Sequence, residues 1–570
     1  MNAANKLLLL AATLALGAAG PAGCNLILGT GYVVGGEDGS APGQDAASPD
    51  GPAGDDAPAG DGPTVDAPVD TCGTNPQTKS QLESACTGAS CQPFDNASRN
   101  TKCRDGGTVC PAVAPFDAGT PETSASEAGV PDAGGSDGGP PDGGSTVDAG
   151  PTNPSCFTLT HGPQGGTLPK PFIFATGSTA IQPYVARVAQ VLENLGIASV
   201  VYLGAGSCFG VNAMLDPLHN QLVTIGKTAT YYDPSLDTNG NVQQATCAVD
   251  DSTRTADLGI SDVFPTTCAP ALVSQGGLPN NLHDFFGPVQ VMEMVVPSTS
   301  KETSISAEAA YMVWGFGSAS GVSPWTDETF LLQRSGTSGT QNMIAAAIGL
   351  DPNVWHGVPN KGSGNVLTAV TNVATGKAID GGPSSDPNAP QKTMGILASD
   401  VADGNRQYLK PLAFQDVGEA CGWYPDSTGA SFDKANVRDG HYPIWGPSHL
   451  VAYSDSTGTA TNGAVKTLID AMNGSNQQVL ATLDVVQFYA KSHIIPTCAM
   501  HVQRAQDGHD YKPLAPPVSC SCYYDLQATG QTSCVSCQHD ADCTNAPGGA
   551  TTCVTAFGIP PVGYCEPPGQ

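Results

Sequence analysis

The sequence predicts an α/β fold for the middle of this 570-residue chain, flanked by disordered linkers and small disulfide-rich terminal modules. Three observations carry that prediction. Short apolar strands alternate with amphipathic helical runs from about residue 170 to 500. Two tracts made largely of Gly, Pro, Ala and Asp precede them. Twelve of the 19 cysteines gather in two short segments, one between the tracts and one at the C-terminus.

Residues 1–23 read as a signal peptide. Lys6 is its one positive charge, and the apolar run Leu7–Leu16 is too short to span a bilayer. Pro21-Ala22-Gly23-Cys24 then resembles the bacterial lipobox. The expectation is a Cys24 acylated after cleavage and a protein exported and lipid-anchored in the bacterial cell envelope, in the periplasm or at the outer membrane or cell surface. Asn25 leans towards the outer membrane. No later stretch is apolar enough to cross a membrane, so the lipid would be the only anchor. With Cys24 set aside, 18 cysteines remain, an even number suited to disulfides in an oxidising compartment.

Residues 24–71 and 112–155 are expected to be disordered linkers, with a small Cys-rich segment at 72–111 between them. The net charge of −30 argues against nucleic acid or an anionic membrane surface as partner. Seventeen acidic residues and no basic ones fall in 31–70 and 106–155 together with Asp105. More than half of the net charge therefore sits on solvated spacers, and the folded core can still accept an anion.

The main domain is expected at 156–510. Phe172-Ile173-Phe174-Ala175 forms a strand. Ile181, Tyr184, Val185, Val188, Leu192 and Leu195 then recur at helical spacing up to Gly196. Val200–Leu203 is the next strand, so a largely parallel sheet is predicted. Residues 511–570 read as a Cys-rich C-terminal module.

Three strand-to-helix turns carry hydroxyls and free backbone N–H groups: Gly177-Ser178-Thr179, Gly204-Ala205-Gly206-Ser207, and Arg334 to Thr340 ahead of the helical run Met343–Leu350. A tetrahedral oxyanion needs such donors at helix N-termini. Arg334 adds a fork that can bind two oxygens. Asp262, after Gly259-Ile260-Ser261, repels an anion unless the ligand has a proton to donate, which hydrogen phosphate has and sulfate lacks.

In this order the segments resemble the phosphate-binding component of bacterial phosphate ABC transporters, over roughly residues 170–500. The resemblance implies a two-lobed periplasmic binding protein fold of type II. Lobe 1 would comprise about 170–295 and 445–510, and lobe 2 about 296–444, with crossings near Val291–Pro297 and Tyr442–Leu450. It also implies a phosphate site of Thr179, Ala180, Ser207, Asp262, Arg334, Ser338, Gly339 and Thr340. Lys361-Gly362-Ser363-Gly364-Asn365, Met394-Gly395-Ile396 and Tyr442-Pro443-Ile444 resemble further segments of that family. Four departures stand out. Gly336 occupies the place of an acidic residue that orients the Arg. Ala180 replaces a bulkier residue. Cys208-Phe209-Gly210 replaces a Gly/Ser run. The stretch from Gly210 to Asp262 is longer, and contains Cys247.

Enzymatic motifs fail. Ser338 has Thr340 where a Gly-x-Ser-x-Gly elbow needs Gly, and Gly226-Lys227-Thr228 lacks the first Gly of a Walker loop. Asp237-Thr238-Asn239-Gly240 reads as a turn, not a calcium loop. Cys534-x-x-Cys537 and Cys520-x-Cys522 read as disulfide partners rather than zinc ligands. His441, His449, Trp314, Trp325, Trp423 and Trp445 read as packing residues. The sequence thus points to a monomeric, non-enzymatic receptor needing no cofactor or metal, which passes phosphate or a similar oxyanion to an ABC permease or a sensor. A surface structural or adhesion protein that kept the fold without the ligand is the alternative, and a phosphatase a weaker one.

Overall fold

In a computed structural model, residues 76–111, 154–156 and 171–566 are described, except 86, 90, 104–108, 219–226, 238–241, 250–254, 509–510, 547–548 and 559. The leader, Cys24, the 24–71 linker and nearly all of the second linker lie outside them, as does the Asn239-Gly240 turn.

The apolar run after Pro171 becomes β1 (Phe172–Gly177), parallel to β2 (Ser199–Gly204) and β5 (Leu258–Ser261). All three are buried almost throughout, which is why they read as continuous apolar stretches. The intervening helix Gln182–Asn194 buries Tyr184, Val185, Val188 and Leu192 against them and ends before Gly196, at φ 69°. The long stretch after Gly210 contains a hairpin, β3 (Thr228–Leu236) and β4 (Val242–Ala248), added antiparallel beyond β2. Cys247 on its outer strand is bonded to Cys156.

β6 (Leu282–Pro297) follows, then β7 (Ser304–Ser306), β8 (Leu331–Gln333), β9 (Val358–Pro359), β10 (Met394–Ala398), β11 (Leu409–Pro411), β12 (Ala413–Gln415) and β13 (Trp445–Tyr453). The main sheet runs β4-β3-β2-β1-β5-β13-β6-β10-β8-β9, with β11 also on β6, while β7 and β12 pair separately. The first part of β6 pairs with β13, from Leu282↔Tyr453 to Val291↔Trp445. From Met292 its partner is β10. One strand therefore belongs to two half-sheets, giving the expected two-lobed α/β architecture with crossings in β6 and at the start of β13. The sheet is mixed rather than largely parallel, because both crossover strands and the β3–β4 hairpin run antiparallel to their neighbours.

The terminal segments do not stand apart from the lobes. Leu82 and Phe94 join the core that holds Trp314, Trp325 and Trp445. Cys91 is bonded to Cys421, and Arg99 pairs with Glu302 at 2.7 Å. At the other end, Cys498–Cys520 crosses the expected boundary at 511, and Tyr524 is fully buried in the main core. A smaller hairpin, Thr552–Phe557 with Val562–Glu566, is pinned by Cys537–Cys553 and Cys543–Cys565. Cys534, Cys537, Cys520 and Cys522 are all in disulfides, as the oxidising reading requires. No described helix is long and apolar enough to cross a membrane.

Lobe 2 encloses a charged cluster. Lys434 is fully buried and donates to Asp426 at 2.8 Å and also to Asp403. Arg406 reaches both aspartates, at 2.8 Å to Asp403 and 2.9 Å to Asp426. Such a cluster holds only while its charges compensate. Lys434→Met is expected to destabilise the protein by about 3–5 kcal/mol, read from urea unfolding, because it strands buried carboxylate charge.

Candidate functional site

Strand ends and helix starts from both lobes meet at the β6 crossing. In lobe 1, the loops after β1 and β2 are laced together: Ala205 and Gly206 N–H donate to Gly177 O at 3.0 and 2.9 Å. Asp262 follows β5 and is 2 % exposed. Its Oδ2 accepts from Ser178 Oγ at 2.5 Å and Ser207 Oγ at 3.0 Å, and its N–H donates to Ser207 Oγ at 3.1 Å. Ser207 begins the helix Ser207–Leu215. The next residue, Cys208, is bonded to Cys268, so the departure at Cys208 fixes this helix start to the segment just beyond Asp262.

In lobe 2, Arg334 follows β8 and is 5 % exposed. Its N–H donates to Gln341 Oε1 at 2.8 Å, and its Nη1 donates to Ser363 Oγ at 2.5 Å. Ser363 opens the helix Ser363–Ala374. Ser338 is the N-cap of the helix Gly339–Ile348, yet its hydroxyl makes no capping bond.

The lobes touch across the cleft. Cys208 N–H donates to Thr337 O at 3.2 Å. A Cβ on Gly339 would stand 2.2 Å from Ser207 Oγ and 2.8 Å from Asp262 Oδ2, so only glycine fits there. Ser207, Asp262 and Gly339 are thus in contact, with Ser338 and Thr340 buried in the same turn as Gly339 and Ala180 buried in the first loop. Arg334 lies within electrostatic reach of Asp262. Thr179 differs: its methyl packs 3.0 Å from where a Cβ on Gly204 would stand, and Ser178 supplies the hydroxyl to Asp262. Phe209 turns away from the cleft to pack near Phe174 and Leu203, with the Lys227 ammonium 5.8 Å from its ring centre.

Among the buried side-chain atoms of the described residues that lack a hydrogen-bond partner, three belong to this site: Asp262 Oδ1, Arg334 Nε and Asp400 Oδ1. What sets them apart is that a carboxylate, a guanidinium and a second carboxyl lie within one another's electrostatic reach. Burial raises the pKa of Asp262, while the Ser178 and Ser207 bonds and the charges of Arg334 and His449 oppose that rise. Burial also lowers the pKa of Arg334, against the charges of Asp262 and Asp400, but a guanidinium stays protonated. Burial and the charge of Asp262 push Asp400 well above the usual carboxylate range.

Asp400 bears on the missing brace of Arg334. A Cβ on Gly336 would stand 2.2 Å from Oδ1 of Asn353, the tip of an exposed side chain that would have to swing aside for an acid to fit there. The guanidinium is held by Ser363, and the charge of Asp262 acts on it from beyond ion-pair distance, while burial favours the neutral form of Asp400. Asp400 lies in the first turn of the helix Ser399–Asp403, directly after β10, the parallel neighbour of β8. Sequence reasoning missed Ser178, Ser363 and Asp400 as contributors. Ser178 and Ser363 lay inside segments already singled out, and the available signal for Asp400 was an acid straight after a buried strand. His449 is a packing residue, with Nδ1 2.8 Å from Asp284 and its ring 4.3 Å from that of Phe264. His441 packs on Trp423 at 4.9 Å.

No protein-family model matches the chain, and no curated protein sequence does. Among solved structures, it is similar to one assigned as a phosphate ABC transporter substrate-binding protein, with bound phosphate, from Clostridium perfringens (11% identity, 57% of this chain and 99% of that one, TM-score 0.36). It is also similar to an ABC-type phosphate transport receptor from Vibrio cholerae (15%, 52% and 92%, TM-score 0.31). A third is the OxyR C206 mutant from Corynebacterium glutamicum (8%, 56% and 69%, TM-score 0.27). Likenesses this distant identify no ligand and no family for this chain.

Gly339→Ala drives a methyl into Ser207 and Asp262 and should force the two lobes apart at this point. A stability loss of roughly 1–3 kcal/mol is expected by urea unfolding, as for overpacking of a tight core.

Proposed function

We propose that the interlobe cleft binds a tetrahedral oxyanion, with inorganic phosphate as its ligand. The observation that carries this reading is Asp262: a buried carboxylate with one oxygen satisfied by Ser178 and Ser207, the other unpartnered, and Arg334 within reach of its charge. Arg334 supplies charge and donors for the anion. Ser207, Ser338, Gly339 and Thr340 lie at two helix starts, where N–H groups and the positive end of the helix dipole favour an anion. Asp262 requires a proton on the ligand, which separates hydrogen phosphate from sulfate. Binding of this kind needs no covalent chemistry at the cleft, and the lobes would close over the ion by a hinge. In this reading the protein is exported, anchored through a lipid on Cys24, and delivers phosphate to an ABC permease or a sensor.

One observation favours the second reading, a surface structural protein. The helix Ser521–Thr529 joins both lobes, with Gln527 bonded to Gln487 at 2.9 Å and Asp525 paired with Arg438. Such a strap restrains the opening that a transport receptor needs.

Calorimetry separates the two. Phosphate should bind near neutral pH and sulfate should not. Arg334→Met should weaken phosphate binding by roughly 2–5 kcal/mol. Asp262→Asn should narrow the preference for phosphate over sulfate. Protonating Asp262 removes its acceptor role, so the same preference should shrink as pH falls. Equal heats for both anions with the unaltered protein would remove Asp262 from its role, and no heat with either would favour the structural reading.

A further inference from the structure

Away from the cleft, three side chains from distant parts of the chain form one hydrogen-bonded row. His501 Nδ1 lies 2.6 Å from Asp439 Oδ1, and His501 Nε2 lies 2.9 Å from Ser521 Oγ. A carboxylate only accepts, so Asp439 fixes the imidazole proton on Nδ1 and leaves the Nε2 lone pair facing the Ser521 O–H. Burial works against ionisation of Asp439, but the His501 hydrogen bond and the charge of Arg438 help hold its pKa below the usual range, which keeps it an acceptor.

The row is rigidly mounted. Ser521 is the first residue of the helix Ser521–Thr529, and its neighbours are bonded as Cys498–Cys520 and Cys522–Cys534. The imidazole and carboxylate are both partly exposed, with Ser521 itself 6 % exposed, along an open groove of about 560 Å³ whose walls include Asp433, Glu566 and the paired Arg438 and Asp525. Beside the serine, Cys522 N–H donates to Glu566 Oε1 at 2.9 Å. A carboxyl oxygen thus already sits on a backbone donor one residue from Ser521, the kind of donor that stabilises the oxyanion of acyl transfer; burial raises the pKa of Glu566, and Ser519 Oγ donates to its other oxygen at 3.0 Å.

We propose that Ser521, His501 and Asp439 form a nucleophile, base and orienter that hydrolyse small esters, with the Glu566 carboxylate occupying the oxyanion position at rest. This site is separate from the interlobe cleft and does not rest on the phosphate reading. Ser521 Oγ attacks the ester carbonyl carbon as its proton passes to His501 Nε2. The C–O bond to the alcohol breaks, and the alcohol leaves with that proton. Water then attacks the acyl-serine, giving its proton to His501, and the acid departs as Ser521 regains its hydrogen. Arg438 on the same wall is paired with Asp525, which leaves Asp433 and Asp439 as uncompensated negative charge, so the substrates are neutral or cationic esters.

Labelling of the full chain with a fluorophosphonate probe, located by peptide mass spectrometry, tests this, alongside p-nitrophenyl acetate hydrolysis. Ser521 should be modified slowly in the unaltered protein and roughly 10-fold or more faster in Glu566→Gln, which removes the charge from the oxyanion position. Ser521→Ala should abolish labelling and turnover, and Asp439→Asn should slow turnover roughly 100-fold or more. Unchanged circular dichroism and urea midpoints show that the variants fold. Absence of a Ser521 adduct in both unaltered and Glu566→Gln protein overturns the proposal. Labelling unaffected by His501→Ala overturns the base, and equal rates with and without Glu566 overturn the occupied oxyanion position.

Discussion

The continuity of β6 is the constraint on which the rest of the molecule depends. Its sixteen residues pair with β13 on one stretch and with β10 and β11 on the next. Backbone hydrogen bonding along a strand is satisfied only if both half-sheets are in register with it. The lobes are therefore held at a fixed junction, between Val291 and Met292. The ends of β1, β2 and β5 from one lobe, and of β8 and β10 from the other, are brought to the same level. Loops there can carry polar groups because the sheets behind them supply the core.

Compensation of buried charge then shapes the cleft. Asp262, Arg334 and Asp400 lie within reach of one another's fields, and each would be costly to bury alone. Ser178, Ser207 and Ser363 meet part of that cost with hydroxyl bonds. The cluster around Lys434 solves the same problem without spare capacity at its lysine, whose bonds all end on Asp403 and Asp426. The contrast is one of degree: Lys434 and Arg406 are paired with Asp403 and Asp426 while the neighbouring Glu293 keeps both oxygens unpartnered, and the site at Asp262 retains an unpartnered carboxylate oxygen and guanidinium nitrogen.

Disulfides extend this framework to the ends of the chain. Cys91–Cys421 fastens the N-terminal segment to lobe 2, and Cys498–Cys520 fastens the helix Ser521–Thr529 beside lobe 1. That helix carries Tyr524 into the core and Ser521 to the edge of a groove. A segment rich in cysteine and proline thus serves as a strap across the lobes, and its staples position side chains that a free module would leave mobile.

The sequence by itself marked β1, β2 and the helix between them, because burial on both faces of these strands leaves uninterrupted apolar runs. It marked the hydroxyl-rich turns too, since their glycines and hydroxyls are consecutive. It also marked the disulfide character of the chain ends. What only the tertiary structure decided was which of these groups meet. Ser178 rather than Thr179 reaches Asp262, because the loop after β1 turns Thr179 towards Gly204. Asp400 takes part beside Arg334 although 66 positions separate them, because β8 and β10 lie side by side. Asp439, His501 and Ser521 share no motif spacing and become one row only when the chain returns past lobe 2. Local patterning fixes which residues enter an element. Contacts between elements depend on register and crossover, and no run of neighbouring residues encodes those.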